Sequence, residues 1–194
     1  MTIAVAVRKG GVTVIAADTQ NNFGHNRVPI GNHRTQKILS VGDTYVATSG
    51  WGVYANILDD FLHRRRAPRL DSERDVFRFF QNFWKALHER YSLVNDQCQG
   101  EEESSPFGDL DASFLLANDG GIFYVSSDTS VTAFEQYYAV GSGAEFALGA
   151  LHALYDSDLD AEALARRACA AAMAFNLFCG GEIDVCRLPQ PGVP

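Results

Sequence analysis

The chain has 194 residues, of which 46% are hydrophobic and 21% are charged, and its formal net charge is −8. This composition is typical of a globular protein with a sizeable core, and the acidic balance argues against nucleic acid as a partner. No apolar run approaches the roughly 20 residues of a membrane span and no secretory signal is visible, so we expect one cytoplasmic domain, residues 1–194, without a membrane partner.

The beginning of the chain predicts a β-hairpin. A β-branched run over residues 3–7 is followed by a glycine-rich turn at residues 9–11 and a second β-branched run over residues 12–16. Because a hairpin brings the chain back to its starting point, we expect Asp18 to lie close to Thr2.

The rest of the chain alternates predicted hairpins with pairs of predicted helices. The predicted segments, in order, are a long polar loop over 19–36, a hairpin over 38–49, a helix opened at 50–52 and ended by Pro68, a helix capped by Asp71 or Ser72, an acidic loop over 95–109, a hairpin over 112–126, a strand over 136–140, a helix over 144–155, a helix capped by Asp158 or Asp160 and running to about Phe178, and a strand over 182–188. This order predicts an α+β fold, in which two antiparallel sheets stack and a helix pair flanks each one. The expected architecture is a four-layer αββα sandwich.

Cysteine and histidine spacing gives no indication of a metal site or a disulfide framework. The four cysteines have no CxxC spacing, which favours a reducing compartment, and the five histidines match no ligand motif. We expect neither a metal nor a cofactor.

Thr2 is the candidate nucleophile. A small residue directly behind the initiator permits removal of Met1, which would leave Thr2 with a free α-amine. A terminal threonine then carries a hydroxyl nucleophile and an amine base on one residue, the amine having an unperturbed pKa of about 7.7–8.0. The sequence therefore predicts nucleophilic catalysis from the first strand.

Four further residues supply what such a nucleophile needs. Asp18 is placed to hold a lysine. Lys37 opens the third strand, after a loop that lets this lysine fold back beside the first hairpin. The N–H of Gly50 is a suitable oxyanion donor, because glycine lets a substrate approach closely. Ser142, in a Gly-Ser-Gly turn, can complete the proton path.

These segments resemble the proteasome β-subunit family, including HslV-type peptidases and other bacterial proteasome homologues, over nearly the whole chain. The most specific part is the ungapped separation of Thr2 and Asp18, while residues 36–41, 46–50 and 140–143 resemble the strands with the family's lysine, oxyanion glycine and accessory serine. The resemblance implies the N-terminal-nucleophile (Ntn) hydrolase fold and a threonine endopeptidase.

One position departs from the family pattern. Active members carry Asp-x-x-Ser-Gly-Gly near the end of the last helix, whereas this chain has Asn176 followed by Leu-Phe-Cys-Gly-Gly. The amide oxygen of Asn176 can still accept a hydrogen bond, but the negative charge is gone.

The resemblance also implies substrate contacts and partners. Residues expected at the substrate are Asn22, Thr35, Thr48, Gly52 and Asn56. The expected assembly is a stack of homo-oligomeric rings, hexameric or heptameric, that degrades unfolded polypeptides delivered by an AAA+ ATPase unfoldase.

Two other functions stay open at this point. One is a small-molecule amidase of the same Ntn-hydrolase class, which a monomeric or dimeric state would favour. The other is a ring-forming subunit with weakened catalysis, which the loss of charge at Asn176 makes conceivable.

Overall fold

The computed structural model describes residues 2–24, 26–28, 32–33, 36–63, 67–91 and 109–188. Its strands are β1 (Ile3–Lys9), β2 (Val12–Asp18), β3 (Asn22–Phe23), β4 (Asn26–Arg27), β5 (Ile38–Val41), β6 (Thr44–Gly50), β7 (Ala112–Asn118), β8 (Gly121–Val125), β9 (Val131–Phe134), β10 (Tyr137–Gly141) and β11 (Ile183–Arg187). Its helices are α1 (Gly52–His63), α2 (Glu73–Arg90), α3 (Ala144–Leu154) and α4 (Ala161–Phe175).

The strands form two main antiparallel sheets. The first sheet has the order β10-β1-β2-β11, and the second has the order β5-β6-β7-β8-β9. In the first sheet, β1 pairs with β2 through the predicted hairpin, so Ala4 lies opposite Ala17. The other edge of β1 pairs with β10, where Ile3 lies opposite Gly141.

Buried side chains fill three layers of contact. One cluster lies between the two sheets, a second joins the first sheet to α3 and α4, and a third joins the second sheet to α1 and α2. The architecture is therefore the expected four-layer αββα sandwich.

Side-chain caps decide two helix starts that the sequence left open. The hydroxyl of Ser72 accepts a hydrogen bond from the Asp75 N–H at 3.2 Å at the start of α2. At the start of α4, the carboxylate of Asp160 accepts from the Ala163 N–H at 2.8 Å. Both contacts satisfy N–H groups that have no partner inside a helix.

Three expectations about the elements were wrong. The segment 19–36, predicted to be a loop, contains the short β3–β4 ribbon, and the strand β9 was not predicted at all. The helix α4 ends at Phe175, three residues earlier than expected, because Asn176 leaves the helical conformation with ψ 117°. The predicted acidic loop over 95–109 lies outside the described residues except for its last position.

Candidate active site

Asp18 lies at the centre of the candidate site, at the end of β2. Its side chain is buried, and it accepts three hydrogen bonds. Oδ1 accepts from the Ile3 N–H at 2.9 Å and from Lys37 Nζ at 2.7 Å, and Oδ2 accepts from the Gly180 N–H at 3.0 Å. One carboxylate thus ties together the start of β1, the approach to β5 and the segment that follows α4.

Lys37 forms a buried ion pair with Asp18. Its side chain is 8% exposed, and the pair is separated by 2.7 Å. A buried ion pair also needs partners for its remaining hydrogen-bonding capacity, and two backbone donors supply them on the carboxylate of Asp18. The expected meeting of Lys37 and Asp18 is therefore seen in the structure.

Thr2 lies directly before β1, and its backbone packs tightly against β10. Thr2 is 5% exposed. A Cβ placed on Gly141, whose φ is +106°, would lie 2.0 Å from the carbonyl oxygen of Thr2. Only glycine fits there, and this close contact with β10 holds the backbone of Thr2 in place. The next residue, Ile3, is held by the hydrogen bond from its N–H to Asp18.

Gly50 ends β6, and the alternation of that strand places its N–H on the side of β5. The Trp51 N–H donates to the Asp111 carbonyl at 3.2 Å, and the Thr48 N–H donates to the Lys37 carbonyl at 3.3 Å. Since successive N–H groups of a strand point to opposite neighbours, the Gly50 N–H lies on the Lys37 side. A Cβ on Gly50 would lie 2.0 Å from the Asp111 carbonyl oxygen, so this position also requires glycine.

Ser142 occupies the turn between β10 and α3. Its Oγ lies 3.8 Å from Sγ of Cys179, and its carbonyl oxygen accepts from Nδ2 of Asn176 at 2.6 Å. Burial raises the pKa of the Cys179 thiol. The thiol therefore stays protonated at neutral pH and can donate to Ser142 rather than act as a second nucleophile.

The residues expected at the substrate are distributed over three elements. Asn22, in β3, accepts from Gln20 Nε2 at 2.8 Å and donates to the Phe178 carbonyl at 3.1 Å. Thr48 lies in β6 beside Lys37, whereas Gly52 and Asn56 are exposed in the first turns of α1. Thr35 lies outside the described residues.

Sequence reasoning missed several residues that hold the site together. Gln20 is 1% exposed, and its Nε2 also donates to the Leu177 carbonyl at 3.0 Å. Gly180 supplies the third donor to Asp18, and Gly141 leaves space for Thr2. Gln20 and Gly180 act through partners about 160 positions away along the chain, so no local pattern could have identified them; the glycine of the Gly-Ser-Gly turn was a usable signal for Gly141.

The described residues offer neither a metal-binding cluster nor a membrane-spanning helix. Within the described ranges, no group of three or more His, Cys, Asp or Glu side chains is arranged to hold a metal ion. Among the helices described here, none is both long and apolar enough to cross a membrane.

Sequence comparisons agree on one group of proteins. The family model described as "Proteasome subunit" matches residues 96–188. The ATP-dependent protease subunit HslV of Caulobacter sp. (strain K31) is 30% identical over 184 residues, which cover 95% of this chain and 92% of that protein. The proteasome subunit beta of Nanoarchaeum equitans (strain Kin4-M) is 26% identical over 197 residues, covering 100% of this chain and 95% of the relative.

Comparison of folds gives the same group. BPH of Thiobacillus denitrificans, solved in complex with epoxomicin, superposes with a TM-score of 0.85 at 33% identity, covering 97% of this chain and 98% of that one. The structure of BPH alone gives a TM-score of 0.85 at 34% identity over 98% of this chain and 100% of the other. Eukaryotic HslV from Trypanosoma brucei shares the fold, with a TM-score of 0.65 at 21% identity over 95% and 98% of the two chains.

Proposed function

The chain belongs to the proteasome β-subunit and HslV family of ring-forming peptidases, and from that premise we propose that Thr2 is the nucleophile with which it cleaves peptide bonds. The observation that carries the proposal is the buried carboxylate of Asp18, which holds both Lys37 and the N–H of Ile3, the residue bonded to Thr2. A nucleophile on this strand has a fixed position relative to a positive charge.

The proposed reaction begins once Met1 has been removed. The α-amine of Thr2 takes the proton of its own hydroxyl, and Oγ1 attacks the carbonyl carbon of the peptide bond. The resulting oxyanion accepts a hydrogen bond from the N–H of Gly50. The ammonium of Lys37 stabilises the negative charge that develops on Oγ1. Collapse of this intermediate transfers the proton to the leaving amine and forms an ester on Thr2, which water then hydrolyses.

Ser142 completes the proposed proton path. Its hydroxyl lies at the surface of the turn that follows β10, the strand against which Thr2 packs. A hydroxyl can accept one proton while it donates another, so Ser142 can relay the proton between the amine of Thr2 and solvent. Asn22, Thr35, Thr48, Gly52 and Asn56 are proposed to contact the substrate.

The proposed partners follow from the relatives. Family members form ring oligomers, and the Caulobacter relative is named as a subunit of an ATP-dependent protease. We propose stacked hexameric or heptameric rings of this chain in the cytoplasm, which receive unfolded polypeptides from an AAA+ ATPase.

The experiment that tests the nucleophile is substitution of Thr2 by alanine. Thr2→Ala removes one hydroxyl from the start of a strand, so rings should still assemble while peptide hydrolysis falls below detection. Epoxomicin, present in the Thiobacillus BPH complex, should modify wild-type protein at Thr2 and leave Thr2→Ala unmodified. The measured mass of the mature protein should also correspond to a chain without Met1.

Thr132→Ala is the matched control, because Thr132 is exposed on β9 in the second sheet. It should keep wild-type turnover and labelling. Full turnover by Thr2→Ala, or epoxomicin bound to a residue other than Thr2, would refute the proposal.

A further inference from the structure

Asn176 caps the end of α4 with an amide whose orientation is determined by its neighbours. Its Oδ1 accepts from the Phe178 N–H at 2.9 Å, a contact that only the oxygen of the amide can make. The nitrogen Nδ2 must therefore face the opposite partner, the carbonyl oxygen of Ser142, at 2.6 Å. Asn176 thus acts on Ser142 as a hydrogen-bond donor.

A carboxylate does not suit this position. An ionised aspartate has no N–H or O–H to donate, and it would place a negative charge against the Ser142 carbonyl oxygen. The position is also the C-cap of α4, where the helix dipole disfavours negative charge, and α4 has no basic residue in its last turn. An uncharged amide meets both requirements.

The turn that orients Asn176 is connected to the rest of the candidate site. Within residues 176–180, the Phe178 carbonyl accepts from Asn22, and the Gly180 N–H donates to Asp18. The side chain of Cys179 lies beside the Ser142 hydroxyl, with 3.8 Å between sulfur and oxygen. A change in the contact between Asn176 and Ser142 is therefore transmitted to the proton path and not to a remote surface.

We propose that Asn176 is a positioning residue, whose amide N–H holds the Ser142 carbonyl and thereby fixes the turn at residues 142–143 that presents the Ser142 hydroxyl. This inference rests on the proposed function. It assigns Asn176 a role opposite to that of an accepting carboxylate: the residue that departs from the family pattern supports catalysis in this chain.

The test compares Asn176→Asp with Asn176→Ala in assembled rings. Alanine leaves the Ser142 carbonyl to water, whereas aspartate adds repulsion, so activity should fall in the order wild type, Asn176→Ala, Asn176→Asp. The loss of one hydrogen bond predicts a decrease in kcat of roughly tenfold for Asn176→Asp, with KM changed less than about twofold.

The matched control is Asn82 on α2, whose Nδ2 also donates to a backbone carbonyl, that of Arg78, at 2.9 Å. Asn82→Asp and Asn82→Ala should keep the wild-type kcat. If Asn176→Asp matches or exceeds Asn176→Ala, or if kcat and KM change together, the positioning role is wrong.

Hydrogen exchange separates this inference from the nucleophile proposal. The first turn of α3 begins at the same turn, where the Ala147 N–H donates to the Gly143 carbonyl at 3.2 Å. Exchange of the Ala147 amide should be faster in Asn176→Asp than in wild type, whether or not Thr2 is the nucleophile. Unchanged exchange would refute the positioning contact, whereas failure of epoxomicin to label wild-type Thr2 would refute the nucleophile alone.

Discussion

The half of the molecule formed by the second sheet with α1 and α2 is packed with aromatic rings, whereas the half formed by the first sheet with α3 and α4 is packed with small residues. The rings of Phe61, Phe79, Phe80, Phe83 and Phe114 have centroids 4.6–6.1 Å apart, most of them edge to face. The other half is filled largely by alanine and valine, together with two buried cysteines.

This difference shows how the candidate site is assembled. Small side chains let backbones come close: a Cβ on Gly143 would lie 2.8 Å from the Cβ of Ala172 and 3.0 Å from Sγ of Cys179. Thr2, Asp18 and the Ser142 turn lie on this closely packed side. Lys37 and Gly50 reach it from the second sheet, so the aromatic half holds them in position without contributing its own core to the chemistry.

Among changes that test this comparison, the largest effect is expected where the two halves meet, at Lys37. Lys37→Arg should lower peptide hydrolysis by roughly 10²–10³-fold, the typical cost of losing one preorganised electrostatic partner. A guanidinium is bulkier and planar, and it does not fit the buried space that the ammonium shares with Asp18. The measurement is kcat/KM of purified rings.

Lys85→Arg is the control for this change, since Lys85 is exposed and pairs only loosely with Glu89 at 3.6 Å. It should behave as wild type. Near-wild-type hydrolysis by Lys37→Arg would show that the buried pair is structural, and that the site does not depend on the junction of the two halves.

The next effect separates the two halves directly. Phe83→Leu leaves a cavity in the aromatic half and should lower the free energy of unfolding by about 1–3 kcal/mol. Ala172→Val overpacks α4 against Gly143 and should cost a similar amount, about 1–3 kcal/mol. Urea unfolding of both variants measures these losses.

Activity of the folded variants should differ although their stabilities are alike. Phe83→Leu should keep its kcat, because its side chain packs against rings remote from Thr2. Ala172→Val should lose kcat, because it displaces the turn that carries Ser142. Equal kcat in the two variants would mean that packing in the small-residue half does not control the site.

The smallest effect at neutral pH concerns Cys169 in the small-residue half. Burial raises the pKa of its thiol to about 12, so the folded protein keeps the proton after the unfolded chain, with a pKa of about 8.5, has released it. The contribution of the buried Cys169 thiol to the free energy of unfolding is therefore fully present below about pH 8.5. The free energy of unfolding decreases as the pH rises above that value, by about 2 kcal/mol at pH 10.

Urea unfolding of wild type and Cys169→Ala at pH 7 and pH 10 isolates this contribution. The difference in unfolding free energy between the two pH values should be larger in wild type. An identical pH dependence in both proteins would show that the thiol is not as well shielded as its burial indicates.

The sequence by itself determined the order of the elements and the main candidate residues. Alternation of β-branched residues and glycine turns identified the hairpins, because a strand of a two-layer sheet buries every second side chain. The ungapped spacing of Thr2 and Asp18 across one hairpin predicted that the two residues lie close together, because the short turn restricts how the two strands can pair. Local physics was sufficient for these inferences.

Short or polar elements were beyond that kind of reasoning. The β3–β4 ribbon has only two residues in each strand, too few for a pattern, and β9 has only four residues, which pair with β8. The early end of α4 depends on Asn176, whose side chain bonds outside the helix. The end of α4 therefore involves a partner 34 positions away, whereas the two strand pairings are local but too short to give a pattern.

Only the tertiary structure decided which hydrogen bonds connect the residues of the candidate site. Asp18 receives donors from Ile3, Lys37 and Gly180, and the last of these lies 162 positions further along the chain. The direction of the hydrogen bond from Asn176 to Ser142 likewise follows from the position of the Phe178 N–H. Hydrogen-bond roles depend on which atoms meet in space, and the residue types alone leave the amide of Asn176 free to act as donor or acceptor.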